Sequence, residues 1–393
     1  MLDDVDHPCM TQWLKQHGKL ISHLTVEVHV GENRLKLRDF SEAAAPCKSI
    51  DLTIWHSTSP VVDLADLHPV AGSLQCLTCR FLGLESGRLR GANVINSLSQ
   101  LVALTLADED FGNDEPWGMI AKVTSLQQLN LVTVYASGDP SPLSALTGLT
   151  YLNLQSHNVG AAGPAPFSFS SLQPLSTLQQ LERLHLGLHA CAATSLQGLA
   201  ELSKLRVLGL ELSDSGGLVS LAGISHGVVE LSIVDAPDLV SLAGIEVCTS
   251  MGKLFLDNCG VSSLQPLRGL SSMKGVHVCN CSLSSLEGRN SMSLQSLYLE
   301  YCMGLRQLSG LEHLSALQSL VVKHCGVTSL QPLSQLGEGL QTLRVVGCSR
   351  VREEVLELPH VQPTADVVVD CSRVKEVVLA GGMWRPVGSS QPA

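Results

Sequence analysis

The chain has 393 residues, of which 45% are hydrophobic, 4% aromatic and 16% charged, so its core is aliphatic and built mainly of leucine. With 25 Lys+Arg against 36 Asp+Glu, the formal net charge of −11 argues against nucleic acid or an anionic membrane as a partner. No run of about 18 uninterrupted apolar residues occurs, so no membrane span is expected. The 13 cysteines are an odd number, and the N-terminus lacks a basic segment followed by an apolar one. Reduced thiols in the cytoplasm, or in the nucleus, are the expectation.

In chain order, residues 1–20 read as an N-terminal capping segment, with Thr11 to His17 as a short helix closed by Gly18. Residues 21–97 hold three degenerate aliphatic triplets: Ile21–Leu24–Val26, Ser49–Leu52–Ile54 and Leu74–Leu77–Cys79. From residue 98 to 350 the pattern becomes regular. Leu-x-x-Leu-x-Leu recurs from Leu101–Leu104–Leu106 through Leu205–Leu208–Leu210 and Leu294–Leu297–Leu299 to Leu340–Leu343–Val345. Successive starts lie 21 to 25 residues apart, with one interval of 32 between Leu149 and Leu181. The longer returns EDFGNDEPWG (109–118) and VGAAGPAPFSFS (159–170) are expected to bulge from one side. Residues 351–385 form a C-terminal cap in which ADVVVDCSRVKEVVLA supplies one or two strands, and residues 386–393 form a disordered tail.

A period of this length accommodates one short strand and one return segment. Alternation along the strand turns two leucines of each triplet to one face and their neighbours to the other. One coil cannot bury its leucines alone, so coils stack and share a continuous core. The returns SLQPLSTL (171–178), SLQPLRGL (263–270) and SLQPLSQL (329–336) carry a proline where a first helical position needs no N–H donor. These motifs resemble the short SDS22-like and internalin-like leucine-rich repeats. The resemblance implies an α/β solenoid, a horseshoe with a parallel concave sheet and 3₁₀ or short helical turns on its convex side.

Numbered from its first leucine, each repeat places Cys259, Cys281, Cys302, Cys325 or Cys348 at position nine, where leucine-rich repeats have Asn or Cys. A small, readily buried side chain suits an inward turn, so these five read as a structural wall. Cys76-Leu-Thr-Cys79 has metal-type spacing, but an odd separation within a strand sends its two thiols to opposite faces. No metal or cofactor is expected. Phosphate loops, dinucleotide fingerprints, zinc helices and nucleophile elbows are all missing from the sequence. His185 and His189 fall on opposite faces of one repeat, so the reading is of a protein that is not an enzyme.

Positions three, five, seven and eight escape the core and are free for recognition. The candidate partner-binding residues there are Arg183, His185, Glu211, Glu230, Lys253, Phe255, Asp257, His277, Tyr298, Glu300, Tyr301, Lys323 and Arg344, with Asp235 and His324 beside them. Exposed aromatics among mixed charges fit a protein partner. The expectation is a non-catalytic, monomeric scaffold or regulatory subunit that grips a protein on its concave face. TQWLKQHG is faintly similar to the opening of F-box leucine-rich-repeat proteins, which implies substrate recognition for a ubiquitin ligase as an alternative. A ligand-sensing receptor is the other alternative.

Overall fold

The computed structural model describes residues 22–30, 47–56, 61–83, 87–110, 116–133, 139–156, 171–187, 194–212, 217–286, 293–352, 355–380 and 384–386. The predicted capping segment 1–20, TQWLKQHG, the 159–170 insertion, His189 and the tail beyond Pro386 lie outside the described residues. The chain divides into two compact units, Met1–Ala192 and Ala193–Ala393.

The first unit contains β1 (His23–Val30), β2 (Ser49–His56), β3 (Val61–Asp63), β4 (Cys76–Gly83), β5 (Gly87–Arg90), β6 (Ala103–Asp110), β7 (Gln128–Thr133), β8 (Tyr151–Ser156) and β9 (Arg183–Gly187). Strands β1, β2, β4, β6, β7, β8 and β9 form one parallel ladder, each pairing with the next. A short second ladder, β3–β5–β6, runs alongside it. Leu104, Leu106, Leu129, Leu131, Leu152 and Leu154 are buried, and the residues between them face outward. The second coil departs from the expected frame. Ser49 pairs with Cys76, so its inward triplet is Cys47, Ile50 and Leu52, two residues earlier than Ser49–Leu52–Ile54. Along the alternating strand a two-residue slip preserves which side chains face the core, so alternation alone could not detect it; only Ser49 changes, from an inward place to a half-buried outward one.

The returns are 3₁₀ turns, among them Leu64–Val70, Ser141–Ala145 and Gln173–Thr177, the last with its proline in the opening turn. Pro116–Ile120 is a single α-helical turn. Its Trp117 and Ile120 are wholly buried, so the end of the 109–118 segment joins the core instead of bulging.

The second unit contains β10 (Val207–Glu211), β11 (Glu230–Ala236), β12 (Lys253–Cys259), β13 (Gly275–Cys279), β14 (Ser296–Glu300), β15 (Ser319–Lys323), β16 (Thr342–Val346), β17 (Val355–Leu358), β18 (Asp366–Asp370), β19 (Glu376–Leu379) and β20 (Trp384–Pro386). Strands β10 through β16 and then β18 pair in parallel without a break in register. The C-terminal segment gives one strand to this ladder and a small separate sheet, β17–β19–β20, whose last pairing is antiparallel. Leu297, Leu299, Leu320 and Val322 are fully buried. Each such side chain contributes roughly 1.5–3 kcal/mol of transfer free energy.

Position eight of successive coils in this unit is left-handed. Asp235, Asn258, Asn280, Tyr301 and His324 have φ of 55°, 52°, 48°, 51° and 48°, and Gly347 has 67°. The twist aims the backbone N–H at the next coil: Asn280 donates to Glu300 O at 3.0 Å, Tyr301 to Lys323 O at 3.0 Å and His324 to Val346 O at 2.8 Å. It also turns position nine inward. There each thiol reaches carbonyl oxygens, as when Cys325 Sγ lies 3.2 Å from Lys323 O and 3.7 Å from Leu299 O in the preceding coil. Cys259, Cys281, Cys302, Cys325 and Cys348 are all buried. Cys371, reaching Val345 O in the same manner, extends the row by one coil that the repeat frame did not reach.

Candidate functional site

The core consumes positions four and six, so the outward rows of β11 to β16 are what this unit offers to another molecule. Register decides which of these side chains meet. Phe255 lies directly opposite His277, and His277 directly opposite Tyr298. Their rings form a continuous row: Phe255 and His277 meet edge to face at 4.8 Å between centroids, and His277 and Tyr298 at 4.1 Å. All three are half-buried.

Beyond that row lies position seven, with Asp257, Cys279 and Glu300 on adjacent strands. The Tyr298 hydroxyl donates to Glu300 Oε2 at 2.6 Å, and Lys323 Nζ donates to the Tyr298 hydroxyl at 3.1 Å. The same ammonium sits 5.2 Å from the Tyr298 ring centroid, within cation–π range. The hydrogen bond to Glu300 holds the phenol's pKa above the ordinary tyrosine value, and the bond that Lys323 donates to Tyr298 raises the lysine's own pKa. Asn280 Nδ2 donates to Asp257 Oδ1 at 2.8 Å, and Asn258 Nδ2 to Asp235 Oδ1 at 2.7 Å. These amides orient the carboxylates without neutralising them. At position eight, Tyr301 and His324 stack at 4.9 Å with planes 11° apart, and Tyr301 is 48% exposed.

Cations at the margins are answered locally. Lys253 pairs with Glu230 at 2.8 Å, and Arg344 with Asp366 at 2.6 Å. Both pairs are exposed, so each is worth little in stability. Glu211 stands exposed at the end of β10.

Arg183 and His185 belong to β9 of the first unit. His185 lies 6.2 Å from Tyr151, and burial followed by the Arg183 charge holds its pKa below the ordinary value. The predicted residues therefore divide, with eleven of the thirteen gathered on the second unit. Sequence reasoning overlooked Asn258 and Asn280, which orient carboxylates, and Asp366, the partner of Arg344. The first two carried a readable signal, since asparagine is a side chain that tolerates left-handed backbone.

His277 Nε2 lies 3.1 Å from Cys279 Sγ, a pairing with catalytic composition. Burial holds His277 below its ordinary value, while burial and then the Asp257 and Glu300 charges push Cys279 up to about 12. A neutral thiol beside a neutral imidazole is the reverse of the thiolate–imidazolium pair that nucleophilic catalysis uses. Among the described residues no group of three or more His, Cys, Asp or Glu side chains is arranged to hold a metal ion, and no helix is long and apolar enough to cross a membrane.

No family model matches the sequence, and no curated protein matches it. Solved structures do. An internalin (inlF) of Listeria monocytogenes is similar with a TM-score of 0.53 and 17% identity, over 86% of this chain and 87% of that one. The Toll–Spatzle complex of Drosophila contains a chain similar with a TM-score of 0.55 and 14% identity, over 91% of this chain and 55% of that one. Parallel single-strand coils, 3₁₀ returns and an aliphatic interior shared from coil to coil, together with these likenesses, make this a protein of the leucine-rich-repeat fold.

Proposed function

We propose that this protein is a non-catalytic binding scaffold or regulatory subunit that recognises a protein partner on the outward strand face of its second unit. The observation that carries the reading is the contiguous row Phe255–His277–Tyr298. Aromatic side chains with polar neighbours at a well-ordered sheet surface are the usual composition of an interface centre. A chain of the same fold takes part in the Toll–Spatzle complex, which supports a protein as the ligand class. We further place the protein in the cytoplasm or nucleus as a monomer. Cysteines that serve as core side chains, such as Cys302, Cys325 and Cys348, are in keeping with a reducing compartment.

The test is photo-crosslinking from the intact chain in its native cell. Benzoylphenylalanine replacing Tyr298 is expected to trap a protein that the same residue replacing Val240, exposed on a return segment, does not. Trapping from position 240 alone refutes the strand face as the binding surface. Charge reversal of Lys253, Glu300 and Lys323 together is expected to abolish capture while leaving thermal unfolding nearly unchanged.

A further inference from the structure

The strand-face reading leaves the chemistry of the partner open, and the charge layout of that face narrows it. The cations at the margins, Lys253 and Arg344, are already matched by Glu230 and Asp366. In the middle, Asp257 and Glu300 stand at position seven of β12 and β14, two strands and therefore roughly 10 Å apart. Their hydrogen-bond partners named above are the Asn280 amide and the Tyr298 phenol, both neutral. Immediately beside them runs the row Phe255–His277–Tyr298. One cation already visits this surface, because Lys323 extends from the next strand to Tyr298, touching its hydroxyl and facing its ring.

We propose that this face takes an extended protein segment carrying arginine, with a guanidinium lying along the Phe255–His277–Tyr298 row between the Asp257 and Glu300 carboxylates. This proposal rests on the strand-face reading and specifies its ligand. Guanidinium suits the site better than ammonium for two reasons. It is planar and stacks on aromatic faces, and its fork of donors can reach two carboxylates at once. An acidic segment would meet two carboxylates at the centre of the face, and a purely aliphatic one would bury them without a counter-charge. The field is also felt by the protein's own Cys279, whose thiol is held protonated in part by these same two charges. Lys323 acts as an internal competitor: it screens Glu300 and occupies one side of Tyr298.

The experiment measures binding of short fluorescent peptides to the intact chain at near-physiological salt. One peptide carries arginines spaced by glycine and serine, a second has lysine and a third glutamate at the same places. The arginine peptide is expected to bind several-fold tighter than the lysine peptide, and the glutamate peptide not at all. Asp257→Asn with Glu300→Gln should weaken the arginine peptide about tenfold. Phe255→Leu with Tyr298→Leu, which changes no charge, should weaken it by about the same factor. Lys323→Met should strengthen it. Equal affinity for arginine and lysine, or indifference to the aromatic pair, would mean only diffuse attraction to an acidic chain and would overturn the proposal. So would a partner trapped from position 298 whose crosslinked segment is acidic or aliphatic, although the strand-face reading would then stand. Trapping from position 240 alone would remove both.

Discussion

The Nε2 atom of His277 lies 3.1 Å from the Sγ atom of Cys279, at neighbouring outward positions of β13. Cys279 is only 9% exposed and its thiol is pushed up to about 12, so the pair carries no charge at neutral pH. Its thiolate population at pH 8 should be about a thousandfold smaller than that of an unburied cysteine. Iodoacetamide labelling followed by mass spectrometry of the peptide containing Cys279 checks this. Labelling at the rate of a free thiol would contradict the neutral pair. Replacing Asp257 and Glu300 by their amides should accelerate the reaction, because both charges oppose the thiolate.

Buried thiols also set the response of stability to alkali. Cys248 is fully buried, and burial, then the Glu246 charge, raises its pKa from the ordinary 9.0 to about 11. A thiol raised in the folded state remains protonated there while the unfolded chain ionises. Its contribution is therefore complete below about pH 9 and is lost as pH climbs from 9 towards 11. The loss should approach about 1.4 kcal/mol per pH unit for each such thiol. Urea unfolding at a series of pH values measures the slope. Cys248→Ala should make it shallower, and an unchanged slope would show that Cys248 does not control the alkaline limb.

The stacking of coils could be read from the chain because every leucine triplet repeats the same physical requirement, burial at positions four and six, at a period too short for any other return. That signal weakens where the requirement is met by other residues. Cys47 and Ile50 fill the second coil, where the alternation of β2 is equally compatible with a frame two residues later. Phe255 and Tyr298 could be picked out as outward aromatics, but their junction through His277 depends on register between coils of unequal length, and no single repeat records it. Position eight was the missed opportunity. Asp235, Asn258, Asn280, His324 and Gly347 are residue types favoured by left-handed backbone, whereas Tyr301 adopts it against its own preference.

That last row yields a sharp local test. Gly347, with φ at 67°, lies under the imidazole of His324, and a Cβ built there would collide with the ring. Gly347→Ala should cost about 1 kcal/mol from the left-handed backbone alone. It should also push His324 off Tyr301, which it now stacks against at 4.9 Å. Loss of the ring-current shift on the His324 imidazole protons reports the displacement. In the background His324→Ala the collision is gone, so the alanine at 347 should retain only its backbone penalty; equal penalties in both backgrounds would deny the contact.

Leu297 and Tyr298 are neighbours in the chain with opposite fates. Leu297 has no exposed surface and packs in the interior of β14, while Tyr298 faces outward between His277 and Lys323. Leu297→Arg should destabilise the fold by ~3 kcal/mol or more, since it buries a charge with no partner built to receive it. Tyr298→Leu retains an apolar body on a partly solvated face and should shift stability by under about 1 kcal/mol. Denaturant unfolding of the two variants separates them. Because strand parity alone assigns Leu297 to the interior and Tyr298 to recognition, comparable destabilisation by both substitutions would mean that the aromatic row serves the core and is not available to a partner.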